Sequence, residues 1–446
     1  MSTPHRFPDR DEIAAARAEA AGIEPQATGG EYRLAGRVMG RRDLGRLVFL
    51  DLVDRSGQIQ LLCQPDELDD FDPDLGDVVG VRGAATKTKR GEPSLSVTEF
   101  QLLAKIKRPL PDTYHGLVDA ETRYRKRYLD LLVNEEARRD FLVRSEVVAA
   151  IRRYLDARGF VEVETPILQP RYGGALAEPF VTRSNELDAD LYLRIADELY
   201  LKRLIVGGLE KVYEIGKDFR NESISYKHQP EFTMLEWYEA YADYEDAMAR
   251  IEDLVATVAQ EAAGTTKASF RGNEIDLKPP WKRLSLIAAL EAEGVWTRDA
   301  DELRRLMEER GIDTHADKTW AQLVDHALSH LVEPKLIDAT ILFDYPVELS
   351  PLARLKEGEE GIVERFEYFA GGMELGNAYS ELNDAEEQAA RFAEMGAEDP
   401  DYVEALSYGL PPTAGLGLGI DRLSMLLTGR ETIRDVILFP TLRPTE

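Results

Sequence analysis

Cysteine is nearly absent: Cys63 is the only one among 446 residues. A lone thiol excludes an intramolecular disulfide framework and a cysteine-cluster zinc site, and it suits a reducing compartment. No uncharged apolar run approaches the ~18 residues a membrane helix needs, so no membrane association is expected. The opening MSTPHRFPDR lacks an apolar stretch, so no signal peptide is expected and a cytoplasmic location is. Positive charge is in deficit, with 55 Lys and Arg against 83 Asp and Glu, a formal net charge of −28. That balance favours solubility and opposes unspecific binding to nucleic acid or anionic membrane. Histidine is scarce as well. His326 and His330 stand four apart in DHALSHLV, but the metalloprotease Glu is missing from the second position. His5, His115 and His315 carry no partner pattern. What remains is an ordinary globular mixture, 43% hydrophobic and 31% charged, long enough for two or three domains.

The charge is unevenly spread. From Arg33 to Arg108 there are 13 basic and 12 acidic residues, and seven of the acids fall within PDELDDFDPDLGD. Outside that stretch the segment is basic, and one face of it could meet a polyanion. The same counts equally describe plain solvated faces.

Residues 11–22, DEIAAARAEAAG, predict a short helix with little apolar face, stopped by Gly22, followed by the linker IEPQATGGE. From Tyr32 the pattern changes to five strands: YRLAGRVMG, GRLVFLDLVD, GQIQLLCQ, DVVGVRGAAT and PSLSVTEFQLLAKI. Five short strands predict a small barrel, whose closure removes sheet edges. KRPLPD (107–112) marks a boundary. Beyond it helices are expected at RYRKRYLDLLVN and at RSEVVAAIRRYLDARG, the second ending at Gly159. FVEVETPIL follows as a strand that Pro166 ends. Next come a helix at DELYLKRLIVGG and strands at KVYEIGKDFR and EFTMLEWYEAY. Residues 243–263 and 299–333 read as helices, ERFEYFAGGMELGNAYSEL and AGLGLGID as strands, and RLSMLLTG as a helix. No internal repeat is visible. The expected class is α+β: an N-terminal helix and linker (1–30), a β-barrel (31–110) and a larger α+β domain (111–446).

Three stretches can carry chemistry. In the first, Phe219-Arg220-Asn221-Glu222 and His228-Gln229-Pro230-Glu231-Phe232 flank a loop. An Arg fork binds phosphate bidentately and Phe offers a face to a base; the same residues would also make an ordinary charged hairpin. In the second, Glu367, Glu374 and Glu381 are spaced seven apart. Odd spacing alternates faces along a strand, unless Gly371-Gly372 breaks the register. Such carboxylates suit a Mg²⁺ shared with nucleotide phosphates, and in an acidic chain the spacing also arises by chance. In the third, Gly415, Gly417 and Gly419 clear one strand face for a flat ligand, with Asp421 and Arg422 opening a helix beyond. Tight packing of strand on helix would use the same glycines.

Together these segments resemble the class II lysyl-tRNA synthetases, over about residues 35–444. GFVEVETPIL (159–168), FRNESISYKHQPEFTMLEWYEAYADY (219–244) and GLGLGIDRLSMLLTGRETIRDVILFPTLRP (415–444) are similar to class II motifs 1, 2 and 3, in that order. AGRVMGRRDLGRLVFLDLVDRSGQIQLL resembles the family's OB-fold anticodon-binding barrel. YHGLVDAETRYRKRYLDLLVN, LRIADELYLKRLIVGGLEKVYEI and GMELGNAYSELND resemble the lysine-specific branch.

The resemblance implies a class II antiparallel-sheet catalytic domain. It implies that ATP and L-lysine give lysyl-adenylate and pyrophosphate, and that the lysyl group passes to tRNA(Lys). Arg220 would then bridge the lysine carboxylate and the α-phosphate, with Asn377 beside it. Phe232 would stack on adenine near Glu222, and His228 and Arg422 would reach the distal phosphates. Glu367 and Glu374 would hold Mg²⁺. Gly174, Glu198 and Glu236 would surround the α-ammonium, and Tyr238 and Glu381 would meet the ε-ammonium. Phe49 and Gln60, with Arg42 and Glu99, would read the anticodon. A homodimer formed through motif 1 is implied as well. The chain departs from the family pattern at Glu178, Asp197, Ser223 and Gln229, none of which carries a role above. Two rivals are a paralogue that activates lysine but modifies a protein, and a regulatory module without activity. The first usually lacks the barrel, and the second should have lost Arg220, Arg422, Glu367 or Glu374.

Overall fold

The computed structural model describes residues 4–111, 116–175, 177–394 and 399–444. Two compact units form, Met1–Asn134 and Glu135–Glu446.

The first unit opens with α1 (Ile13–Gly22) and five strands: β1 (Thr28–Leu44), β2 (Leu47–Val53), β3 (Gln58–Cys63), β4 (Val78–Lys87) and β5 (Pro93–Ala104). They close into a barrel in the order β1-β2-β3-β5-β4, as expected from the five short runs. Alternation sends Val48, Leu50, Leu52, Ile59 and Leu61 inward. The expectation of a helix with little apolar face is corrected. Ile13, Ala16 and Ala20 of α1 are fully buried, because small side chains on one face let the helix lie close to the barrel. Two short helices, α2 (Ala120–Arg125) and α3 (Arg127–Val133), finish the unit. Arg127 and Asp130 form a fully buried ion pair there.

The second unit begins with α4 (Glu135–Asp156), followed by the two-residue β6 (Val161–Glu162). Here the predicted strand over FVEVETPIL is cut short. Thr165 leaves the ladder to donate from its N and its Oγ1 to the Glu214 carboxylate, at 3.0 and 2.7 Å. A small sheet of β7 (Leu168–Gln169), β8 (Val181–Ser184) and β9 (Ala189–Leu193) comes next, in the order β7-β9-β8. Then follow α5 (Glu198–Val206), β10 (Lys211–Phe219), β11 (Glu231–Ala240) and α6 (Tyr244–Ala263), the last with an Asp243 capping box and Gly264 closing it in the left-handed region. The hairpin β12 (Lys267–Phe270) and β13 (Asn273–Asp276) and the segment β14 (Lys282–Ser285), α7 (Leu286–Ala292), α8 (Ala300–Glu308), α9 (Trp320–Ala327) and β15 (Thr340–Pro346) precede the final strands. These are β16 (Ile362–Phe369), β17 (Glu374–Ser380) and, after α10 (Ala385–Glu394) and α11 (Pro400–Ser407), β18 (Thr413–Gly419). α12 (Ile420–Thr428) and α13 (Ile433–Val436) end the fold.

Eight strands make the main sheet, ordered β14-β15-β16-β17-β18-β11-β10-β6, with antiparallel pairing from β15 through β10. One face packs on α4, α6 and α12. Their apolar stripes, Ile151, Ile251, Val255 and Leu423 among them, meet Leu235, Trp237, Leu416 and Phe366. On the opposite face Leu342, Val363 and Phe369 pack on α7 and α9 at one side, Val212 and Tyr238 pack on α5 at the other, and polar groups lie between. Truncating Ile251, fully buried in this core, should cost about 2–5 kcal/mol. Chemical denaturation of Ile251→Ala, set against wild type, measures it.

Candidate active site

Register carries a row of polar residues across the middle of this second face. Glu367 on β16 pairs with Asn377 on β17, Asn377 with Gly417 on β18, Gly417 with Glu236 on β11, and Glu236 with Glu214 on β10. Directly opposed residues point to one side of a sheet. Two residues along, the same side shows Arg365, Tyr379, Gly415, Tyr238 and Val212. The alternate glycines of β18 therefore face the site, while Leu416 and Leu418 face the helices. A methyl at Gly415 would collide with the Glu381 carboxylate and the Tyr238 ring. At Gly417 the nearest atoms would be Met234 Sδ at 3.6 Å and Glu236 Cγ at 4.0 Å, so the floor there is open.

At one end, β10 and β11 form the hairpin anticipated around FRNE, with Phe219 opposite Glu231. The Arg220 guanidinium lies 5.1 Å from the centre of the Phe232 ring. Its hydrogen bonds to protein are long, 3.4 Å to the Ile195 carbonyl. The loop is tethered through Glu178. Asn221 N donates to the Glu178 carbonyl at 2.8 Å, and Glu178 N donates to Glu222 Oε1 at 3.4 Å. The Glu178 side chain is exposed and Gln229 is buried, its Oε1 accepting from Thr441 N at 3.1 Å. Arg422 donates to the Glu374 carbonyl and carboxylate at 2.9 and 3.0 Å and approaches His228 Nε2 at 3.3 Å. Partial burial, then the charges of Arg422 and Lys227, lower the His228 pKa to about 4. The neutral ring accepts from Arg422 at Nε2, which leaves Nδ1–H to donate to Ser225 Oγ at 2.8 Å.

The seven-residue spacing of Glu367, Glu374 and Glu381 does not make one cluster. Gly371 and Gly372, at φ of 66° and 67°, turn β16 into β17 and break the register. Glu367 is buried and its pKa is raised to about 7: burial drives it up, Glu374 and Asp325 add to the rise, and Arg365 opposes it. Burial would also raise Glu374, but Arg422 and Lys227 hold it below the ordinary carboxylate range. Two carboxylates that repel one another, one of them pushed toward neutrality, fit a hard divalent cation with oxygen ligands.

Glu381 lies instead with the second end of the site. Lys202, fully buried, is 2.5 Å from Glu198 Oε1 and also pairs with Glu381 Oε2. Tyr238 donates to Glu236 Oε2 at 3.1 Å. Gly174 is at φ 87°, and a Cβ there would meet Ala196 Cβ at 3.1 Å and Glu198 Cβ at 3.3 Å. Burial first, then Asp218 and Glu198, push Glu236 well above the usual carboxylate range. Sequence reasoning missed the layer beneath. Buried Arg194 binds Glu214 at 2.5 Å and Asp218 at 3.2 Å, with Asp197 at 3.7 Å. Asp197, Asp218 and Glu236 are the one group of at least three carboxylate or histidine ligands within 4.8 Å among the described residues, so His326 and His330 belong to none. His326 Nδ1 instead meets Asp317 at 2.7 Å. His115 lies outside the described residues. The signal available in sequence was the charge density of RIADELYLK, which pattern alone does not aim.

In the barrel, Arg42 stands opposite Phe49 and Asp51 opposite Gln60. Arg42 lies 5.8 Å from the Phe49 ring centre and donates to Gln60 Oε1 at 2.8 Å; Gln60 in turn donates to Ser94 Oγ at 2.9 Å. Phe49 is half-buried and points away from the core that takes Val48 and Leu50. Glu99 is not brought to this patch: it sits beside Arg82, at 3.6 Å.

His228 offers a direct check. Its pKa lies below the ordinary histidine value, so the stability it contributes is full above about pH 6.5 and is lost as pH falls toward 4. Arg422→Gln removes a charge that lowers this pKa. NMR titration of the ring should move upward in that variant and remain near 4 in wild type.

Comparison with known proteins agrees with this geometry. Residues 119–443 match the family model of class II tRNA synthetases (D, K and N), and residues 32–103 match the OB-fold nucleic acid binding domain. The chain is 48% identical over 438 residues to the lysine–tRNA ligase of Dehalococcoides mccartyi, covering 93% of this chain and 88% of that protein. It is 48% identical over 444 residues to that of Moorella thermoacetica, covering 94% and 90%. It is 49% identical over 439 residues to the heat-inducible lysine–tRNA ligase of Escherichia coli, covering 93% and 86%. With a barrel closed as an OB-fold and a polar row across an antiparallel sheet, this chain belongs to the class II tRNA synthetase family of the D, K and N group.

Proposed function

We propose that this chain is a lysine–tRNA ligase, which joins L-lysine to ATP as lysyl-adenylate and transfers the lysyl group to the 3′ end of tRNA(Lys). The observation that carries this reading is the sheet face itself: a phosphate-suited Arg220, His228 and Arg422 at one end, and buried Glu198, Glu236 and Glu381 at the other. A dication fits the carboxylate end, and a polyphosphate fits the other. The likeness runs through barrel and catalytic domain alike, so the reading as a protein-modifying paralogue is dropped.

Adenylate formation needs no protein nucleophile. An oxygen of the lysine carboxylate attacks the α-phosphorus, and the bond to pyrophosphate breaks. The protein's part is to position the reactants and to neutralise charge on the pentavalent phosphorus. Arg220, with few competing protein contacts, bridges carboxylate and α-phosphate, with Asn377 beside it. Phe232 stacks on adenine and Glu222 meets its amino edge. Neutral His228 donates to distal phosphate after rotating from Ser225, and Arg422 supplies the fixed charge. Glu367 and Glu374 would hold Mg²⁺, which when bound neutralises phosphate charge. Gly174, Glu198 and Glu236 take the α-ammonium, and Tyr238 and Glu381 the ε-ammonium.

The barrel serves the tRNA. Arg42 and Phe49 form an outward patch with the buried Gln60 bonded to Arg42 at its edge, and together they would read splayed anticodon bases; Glu99 would act apart from them. We keep the functional division at residue 110, although α2 and α3 group with the barrel by compactness. The chain acts as a homodimer through the motif 1 region. Val181 lies opposite Tyr192 in the β7-β9-β8 sheet, and the Tyr172 ring packs on Tyr192 at 5.0 Å; Val181 and Tyr172 are both exposed, an apolar patch of the kind that marks an interface. No helix among the described residues is long and apolar enough to cross a membrane, and a cytoplasmic site of action goes with the tRNA substrate.

Pyrophosphate exchange tested with each standard amino acid should respond to lysine alone. In Arg220→Ala exchange should fall by about 10²–10³, the usual loss for one donor aimed at developing charge. Arg220→Lys should also fail, because an ammonium cannot bridge two groups as a fork does. Exchange within a few-fold of wild type in Arg220→Ala overturns the assignment.

A separate expectation concerns the barrel. Base stacking contributes about 1–3 kcal/mol, so Phe49→Ala should raise the KM for tRNA by roughly one to two orders of magnitude. Lysine-dependent exchange without tRNA should persist, and melting should hardly move. Equal losses with wild-type and anticodon-mutant tRNA, together with a sharp drop in melting, would mean that Phe49 serves packing.

A further inference from the structure

Lys202 has no assigned part in the reaction, yet it occupies the centre of the carboxylate end. Its ammonium is fully buried and touches two carboxylates at once: Glu198, one helical turn back on α5, and Glu381, just past the end of β17. The rings of Tyr379 and Tyr402 flank it at 5.4 and 5.9 Å. Desolvation alone would lower its pKa, but Glu198 and Glu381 more than offset that and keep it charged. Glu198 and Glu381 belong to separate elements, and in the reading above they serve opposite ends of the substrate. A buried ammonium is costly unless every partner is well placed, and apolar replacements of similar volume are often no less stable. Its presence therefore calls for an account other than stability.

The charge count supplies one. Glu198, Glu236 and Glu381, with Asp197, Asp218 and Glu214 beneath them, outnumber the buried cations Lys202 and Arg194. That acidic excess suits a substrate with two ammonium groups, and Lys202 limits it. The same ammonium also spans the two anchors, so the position of Glu381 relative to Glu198 is set by one internal group.

We propose that Lys202 is a specificity-determining positioning residue: it ties Glu198 to Glu381 and so makes the pocket select a diamino acid by charge and by chain length. This rests on the assignment of Glu198 and Glu381 to the lysine ammonium groups, and the test separates the two claims.

The experiment is pyrophosphate exchange on the full-length protein with lysine and with ornithine, which carries the same charges on a chain one methylene shorter. One missing methylene is worth about 10–200-fold in a shaped pocket, and wild type should show a preference of that order. Lys202→Met should raise the KM for lysine at least about ten-fold, leave the KM for ATP within about two-fold, and shrink the lysine-over-ornithine preference to a few-fold. Lys202→Arg keeps the charge on a longer, planar head. It should still activate a diamino acid, with an altered lysine-to-ornithine ratio, and it carries the test alone if the Met variant does not fold. An unchanged lysine KM and an unchanged ratio in the folded variants overturn the proposal and leave Lys202 a structural ion pair. Glu381→Gln serves as the reference. A raised lysine KM there, with Lys202 variants unaffected, sinks only the role of Lys202, whereas an unchanged KM in Glu381→Gln sinks the pocket assignment itself.

Discussion

β11 is hydrogen-bonded along its length between β10 and β18, and its strict alternation governs both halves of the large unit. Leu235 and Trp237 face the helices and form the core; Glu236 and Tyr238 face the other way. A slip of one residue would bury the carboxylates among α4, α6 and α12 and expose the tryptophan. Burial of the core thus enforces the aim of the polar row. Gly415 of β18 completes the arrangement by withholding a side chain where Glu381 and Tyr238 need the space.

A face so crowded with carboxylates needs internal cations. Arg194, Lys202, Arg365 and Arg422 each pair with at least one of them. These pairs add little net stability, but removing one partner from a buried pair costs about 3–5 kcal/mol. Their distribution is uneven. Arg422 holds Glu374 ionised, while Glu367 is left with a pKa near 7 and Glu236 is raised well beyond its usual range. The face is therefore under-compensated in both places where a cation is assigned, and incoming positive charge relieves it.

The barrel solves a simpler problem. Closure leaves no strand edge open, and its inward residues are almost wholly apolar. Arg42 and Phe49 stand on the outward side, where Arg42 bonds to Gln60, itself buried and tied to Ser94. The basic surplus outside PDELDDFDPDLGD does not gather Glu99 to them. Glu99 stays with Arg82, its direct partner in register, beside a bulge between Arg82 and Gly83.

Period-two alternation, turn glycines and cap residues act within a few neighbours, so the five barrel strands, the β10–β11 hairpin around FRNE and the glycine face of β18 were legible in the chain itself. Arg220, Phe232, His228 and Arg422 stood out through the family resemblance, whose motifs lie on or beside those elements. Local rules did not reach further. They overran the strand at FVEVETPIL, because the pull of Glu214 on Thr165 comes from another strand. They undervalued α1, whose alanines count only against the barrel. They joined Glu381 to Glu367 by spacing, when strand register and Lys202 place it with Glu198. The sequence by itself determined the barrel, the elements that carry the three motifs and the residue types they offer. Only the tertiary structure decided which distant charges meet, because a buried ion pair depends on where two separate elements pack and not on anything either one encodes alone.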